Sequence, residues 1–233
     1  MSTDARARIL ERIRRSVGRA ELEGEARAAL EKRLSDPRPN LIPARARADH
    51  DTLVALFVEK AVAGGASVER LGDVSQLGAR LAGFLKQHNL PSRVVAAPAL
   101  NGLGLEEEPL LELRFGVPQA SDQTGIGPAF RGIAETGTLA MISGPDTPST
   151  MNFLPDNHVA ILRDADIVGA MEDVFTALRA QYGAGKMPRT LNFISGPSRT
   201  ADIEQKLVKG AHGPRRLHIM LITDGQKTAE TDR

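Results

Sequence analysis

Thr138-Leu-Ala-Met-Ile-Ser-Gly-Pro145 and Thr190-Leu-Asn-Phe-Ile-Ser-Gly-Pro197 are one phrase written twice, with six of eight positions identical. Each copy is a short apolar run of β-type residues that stops at Ser-Gly-Pro and is followed by small hydroxyl residues. That is the pattern of a strand entering a tight loop. In open α/β sheets ligands sit in loops at the carboxyl ends of strands. Two loops of matching chemistry therefore predict one pocket lined from two sides. The competing reading is a turn signal used twice, since Ser, Gly and Pro are all turn residues.

Outward from the repeat, strands and helices alternate. Thr52 to Val62 reads as a helix and Ser67 to Leu71 as a strand. Asp73 is an N-cap residue for a helix carrying Leu77, Leu81, Phe84 and Leu85. Strands follow at 93–97, 111–115 and 159–162, around the first copy of the repeat. Ile167, Met171, Val174, Phe175 and Leu178 mark an amphipathic helix. After the second copy, a short helix is expected from about Ala201, with Ile203 and Leu207 inward and Gly210 as its C-terminal cap. Arg216 to Thr223 closes the sheet. This alternation predicts an α/β fold: doubly wound, a mostly parallel sheet with helices on both faces. An N-terminal helical arm precedes it. Ile9, Leu10, Ile13 and Val17 lie at helical spacing among arginines, and prolines at 37, 39 and 43 break the pattern. The expected organisation is an arm with linker at 1–47, an α/β domain at 48–223, and a flexible C-terminal tail at 224–233.

Composition narrows the function classes. The 233 residues carry 30 basic and 29 acidic side chains, a net charge of +1, so no overall field favours DNA or RNA. Aromatic residues are 3%, with no Trp, too few for a base-stacking platform. With no cysteine, the sequence holds no disulfide, zinc–thiolate site or cysteine-ligated iron–sulfur cluster, and no thiol nucleophile. No apolar run is long enough to span a bilayer, and a cytoplasmic protein is expected.

Three clusters could carry chemistry. In Ile133-Ala-Glu-Thr-Gly-Thr138, Glu135 could serve as a general base or nucleophile, with Thr136, Gly137 and Thr138 lining a ligand site. The plainer role for Glu135 is to accept backbone N–H groups in a turn. In Ser195-Gly196-Pro197-Ser198-Arg199-Thr200-Ala201-Asp202, the expected helix start and Arg199 would make an anion site from Ser195, Gly196, Ser198, Arg199, Thr200 and Asp202. In Gly210-Ala-His-Gly-Pro214, His212 is held in a loop and suits proton transfer. His158 is a second histidine where a loop meets a strand, and His218 reads as structural. No two of these histidines have i, i+4 ligand spacing, so no metal site is predicted. Gly125-Ile-Gly-Pro128 lacks the third glycine of a dinucleotide fingerprint. No G-x-S-x-G elbow is present.

The I-A-E-T-G-T run at 133–138, L-P-D-N-H-V at 154–159, and I-S-G-P-S-R-T-A-D-I-E followed by G-A-H-G-P-R-R-L-H-I within 194–219 together resemble the LUD family. The I-L-E-R-I-R at 9–14 resembles the start of such proteins. The resemblance implies a NagB/RpiA/CoA-transferase-like fold and a role in oxidising L-lactate to pyruvate beside separate iron–sulfur partner proteins. No cofactor is assigned to this chain itself, and any cluster would sit on those partners. It also implies a small anionic ligand, with Glu135 and His212 as candidate catalytic residues. The alternative it leaves open is a stand-alone transferase or ligase-like enzyme acting on a CoA ester, phosphosugar or folate.

Overall fold

The structure, a computed structural model, describes residues 3–18, 22–203 and 206–223; the expected tail at 224–233 lies outside them. The chain forms two compact units, Met1–Pro39 and Asn40–Arg233. The first contains helices α1 (Thr3–Val17) and α2 (Gly24–Ser35). Ile9, Ile13 and Val17 recur every four residues on α1 and stay exposed, and α2 buries no residue. Ion pairs one turn apart, Arg15 to Glu11 at 3.1 Å and Arg27 to Glu31 at 2.9 Å, brace these helices. Each such pair contributes only about 0.3–0.5 kcal/mol.

The second unit is built on a six-stranded parallel sheet. Its strands are β1 (Ser67–Leu71), β2 (Arg93–Ala96), β3 (Glu112–Phe115), β4 (Thr124–Pro128), β7 (Asn157–Arg163) and β12 (Arg216–Ile222). They lie in the order β1-β12-β7-β4-β2-β3. In β7 and β12 nearly every residue is buried, as expected when both faces of a parallel sheet are covered. Val159, Ile161, Met220 and Ile222 face a core with α4 (Leu77–Gln87), which inserts Leu77, Leu81, Phe84 and Leu85. Ala160, Leu162, Ile219 and Leu221 face the other way, against Val54, Phe57 and Ala61 of α3 (His50–Ala63). Asp49 starts α3 by accepting the Thr52 N–H at 3.0 Å, and Asp73 caps the 3-10 turn that leads into α4.

The expected α/β architecture is present, but the repeated strands are not part of its parallel sheet. They are β6 (Thr138–Ile142) and β9 (Leu191–Ile194) of a second, mostly antiparallel sheet. Its order is β8-β5-β6-β9, with β5 at Arg131–Ile133 and β8 at Ile167–Val168. Leu139 and Met141 point toward the parallel sheet. Ala140, with Ile133, points toward Val174 and Leu178 of α5 (Met171–Tyr182). The layers therefore run α4, parallel sheet, α3 with the small sheet, and α5.

Two further expectations are corrected, and one weak signal is explained. The segment after Ser198 is no helix: β10 (Arg199–Ile203) pairs antiparallel with β11 (Lys206–Lys209). Hydrogen bonds from Ser198 N–H to Pro214 O and from Gly210 N–H to Ser198 O tie down its base. Thr200, Ile203 and Val208 are β-branched, which favours the strand. Gly210 thus closes a hairpin rather than capping a helix. Ile167 belongs to β8, and the helix read from it starts at Met171. Gly125-Ile-Gly-Pro128 is interior strand β4; a Cβ on Gly125 would come within 2.7 Å of Met151 Sδ and Pro155 Cγ. Glycine there marks close packing rather than a phosphate loop.

Candidate functional site

The register of the small sheet decides what the repeat means. β6 and β9 are antiparallel, with Leu139 opposite Ile194 and Ile142 opposite Leu191. The two Ser-Gly-Pro loops therefore leave from opposite ends of the pair, and the single pocket expected from their likeness does not form. Each copy instead closes the other. Thr138 Oγ1 lies 2.7 Å from Ser195 Oγ, so the first residue of one copy meets the sixth of the other. At the opposite end Ser143 Oγ accepts the Thr190 N–H at 2.9 Å, and Ser143 N–H donates to Thr190 O at 3.1 Å.

The Thr138 end gathers most of the predicted residues. Thr136 Oγ1 donates to Thr138 Oγ1 at 2.8 Å, so Thr136, Thr138 and Ser195 form one chain of hydroxyls. Thr138 is 3% exposed, while Thr136 and Ser195 reach solvent. Gly137 takes φ +65°, and a Cβ there would overlap the backbone nitrogen of Ala61. The β5–β6 turn can approach the end of α3 only through glycine. A Cβ on Gly64, just beyond α3, would lie 2.8 Å from Ser195 O. Gly196 packs against the Gly64 carbonyl, and the Arg199 guanidinium fills the space beside Gly65. A cation fits the carbonyl end of a helix.

Ser198 and His212 form a neighbouring contact. His212 N–H donates to Ser198 Oγ at 3.4 Å, and the His212 side chain is exposed. Glu135 turns elsewhere: its Oε1 accepts the Met171 N–H at 3.4 Å, at the first turn of α5. Asp173 Oδ2 accepts the Ala170 N–H at 2.8 Å at the same terminus. Both carboxylates suit the positive end of α5. Among the described residues, no hydrogen bond joins Glu135 to His212. Thr200 and Asp202 fall in β10, and their side chains lie outside the described residues; without a helix start, the dipole half of the predicted anion site is gone. A groove of about 450 Å³ opens elsewhere, beside α4, lined by Gly83, Lys86, Leu90 and Leu110 among others.

Both buried histidines belong to the parallel sheet. His158 is 1% exposed, and neither ring nitrogen has a hydrogen-bond partner. Burial lowers its pKa to about 4. His218 is 5% exposed, accepts or donates at Nδ1 to Ser67 Oγ at 2.8 Å, and stacks on Phe84 at 4.2 Å. Burial, with the nearby His88, lowers its pKa to about 4 as well. Sequence reading found neither environment, because the partners come from strands and a helix distant in the chain. Among the described residues, no helix is long and apolar enough to cross a membrane.

The fold and its site define an α/β domain with a glycine-pinned chain of hydroxyls. Residues 119–222 match the LUD domain. Lactate utilization protein C of Geobacillus sp. (strain WCH70) is 37% identical over 107 residues, covering 45% of this chain and 44% of that protein. Its counterpart in Bacillus subtilis (strain 168) is 35% identical over 107 residues, covering 45% of each. The matched region thus spans a little under half the length of these relatives. A DUF162 family protein from Deinococcus radiodurans has a similar fold, with a TM-score of 0.55 at 19% identity, covering 75% of this chain and 99% of that one.

Proposed function

We propose that this chain is a component of an L-lactate utilization system that oxidises lactate to pyruvate with separate iron–sulfur partner proteins. In this reading the Thr136–Thr138–Ser195 chain and Arg199 receive a small carboxylate. The observation that carries it is the likeness to proteins named Lactate utilization protein C, beside a LUD-domain match at 119–222 that contains the whole hydroxyl chain. Hydroxyls and a guanidinium are suited to a carboxylate, since charge-assisted hydrogen bonds are the stronger ones. A sequence without cysteine leaves cysteine-ligated clusters to partners.

The test is removal of the chain from its host, followed by growth on L-lactate and anaerobic pull-down of the tagged full chain. Loss of growth, and brown co-purified material that reduces a dye with lactate, supports the reading. Normal growth, or a colourless protein that comes down alone without lactate activity, overturns it. Thr138→Val with Ser195→Ala should abolish lactate-dependent growth while partners still co-purify; unchanged growth removes the carboxylate site from the proposal.

A further inference from the structure

Ser67, His218 and Glu69 form a relay that the lactate reading does not use. Ser67 opens β1, an edge strand, and is exposed. In the register of β1 on β12, Ser67 is directly opposite His218. Residues 67, 69 and 71 share one face of β1, and Leu71 of that set lies in the α4 core. Ser67 Oγ is 2.8 Å from His218 Nδ1; His218 Nε2 makes no hydrogen bond, and Glu69 Oε2 lies 3.6 Å from it, close enough for an electrostatic contact. Arg80 on α4 holds the other oxygen of Glu69 at 3.3 Å. Phe84 stacks on the imidazole with an interplanar angle of 14°, which fixes the ring plane.

This order of groups assigns the protons. The field of the Glu69 carboxylate favours the hydrogen on Nε2, which leaves the Nδ1 lone pair for the Ser67 hydroxyl. A hydroxyl on a neutral imidazole oriented by a carboxylate is the activated-nucleophile arrangement, recognised by geometry and roles rather than sequence position. The usual serine elbow is absent, so sequence inspection passes over it.

We propose that Ser67 is a nucleophilic hydroxyl that takes acyl or phosphonyl groups from activated donors, with His218 as its base and Glu69 as the positioning residue. Ser67 Oγ bonds to the acyl carbon as its proton passes to His218 Nδ1. The bond from that carbon to the leaving oxygen breaks, and the leaving group takes the proton back from the ring. Acyl-Ser67 and a free alcohol result, and water can then hydrolyse the ester.

The groups facing His218 are Ser67 and Glu69 of β1 and Phe84, Arg80 and His88 of α4 and its C-terminal cap. Burial keeps the ring neutral through the neutral range. A base this weak gives modest turnover, so the readout is the covalent adduct.

The full chain is treated with a fluorophosphonate, and adducts are located by peptide mass. Exposed Ser121 is the control in the same sample. Ser67 should react at least roughly tenfold faster than Ser121, below the usual low end of about a hundredfold for general-base assistance because this base is weak. That rate should stay flat between about pH 5 and 8, because the base is already neutral there. Glu69→Gln should slow labelling several-fold, and Glu69→Asp should restore part of it. Equal rates at Ser67 and Ser121 overturn the proposal, as does a rate midpoint near the ordinary histidine value. Labelling unchanged in Glu69→Gln removes the relay. None of these readouts depends on lactate or on partners.

Discussion

The two sheets of the body place polar side chains in their interiors in different ways. The parallel sheet buries two imidazoles, His158 and His218, both held neutral by loss of water. The small sheet joins its repeated strands through hydroxyls, Thr138 with Ser195 and Ser143 with Thr190. Hydroxyls do not titrate near neutral pH and imidazoles do. One sheet is therefore acid-sensitive by construction, while the closures of the other are indifferent to pH. The contrast also separates roles, since the hydroxyls of the small sheet reach solvent at Thr136 and Ser195, whereas His158 touches no polar partner at all.

The severest way to break this comparison is Gly137→Ala. Its Cβ would overlap the α3 backbone at a φ of +65°, so the β5–β6 turn must leave α3. We expect a loss of more than about 3 kcal/mol in urea unfolding, from strain added to lost packing. Gly144→Ala at the other end of β6 meets only Thr147 Oγ1 at 3.1 Å and should change stability by less than about 1 kcal/mol. Similar losses in the two variants would show that α3 does not pin the turn.

Acid comes next. The unfolded chain binds protons at both histidines below about pH 6.5, while the folded chain resists until about pH 4. Stability at these sites is complete above the unfolded value and is lost as pH falls toward about 4. Each histidine should contribute about 3 kcal/mol of that loss, since burial lowers its value from the ordinary 6.5 to about 4. His158→Leu should flatten the pH dependence of urea midpoints across this window; an unchanged slope would remove His158 from the acid response.

Thr138→Val tests the hydroxyl sheet. It removes bonds to Thr136 and Ser195 and should cost about 1–2 kcal/mol. The cost should be equal at pH 7 and pH 5, and a pH-dependent difference would blur the distinction between the sheets. Ser143→Ala is the mildest change, about 0.5–1 kcal/mol, because the freed Thr190 N–H is the only donor it leaves behind.

Much of the fold was legible in local pattern. Ser67–Leu71 reads as a strand with the bounds it has, and the leucine spacing of α4 and the cap at Asp73 are plain. The repeat announced two strands, and Thr at the start with Ser at the end of each copy is what antiparallel closure needs. Its direction was not legible, because pairing register joins positions about fifty residues apart and leaves no local trace. The hairpin at β10–β11 was misread because Asp202 and Leu207 also suit a helix, and its decisive bonds come from Pro214 and Gly210. Of the site, the hydroxyl residues and Gly137 were named from sequence, whereas the engagement of Glu135 with α5 depends on a helix placed by tertiary packing. Ser67 was not singled out, since its imidazole lies on the last strand.

The strand order also imposes a timetable. Among the described residues β1 bonds to no strand but β12, which follows it by about 145 residues in the chain, and β9 joins the small sheet late as well. During synthesis the Leu71 edge must wait, with its N–H and C=O groups on water, until residues 216–222 emerge. Both sheets are thus completed only once residues 191–222 are made, and contacts this distant in sequence form slowly. A nascent chain stalled before β12 would present an open, apolar slot between β1 and β7, the kind of surface that chaperones hold.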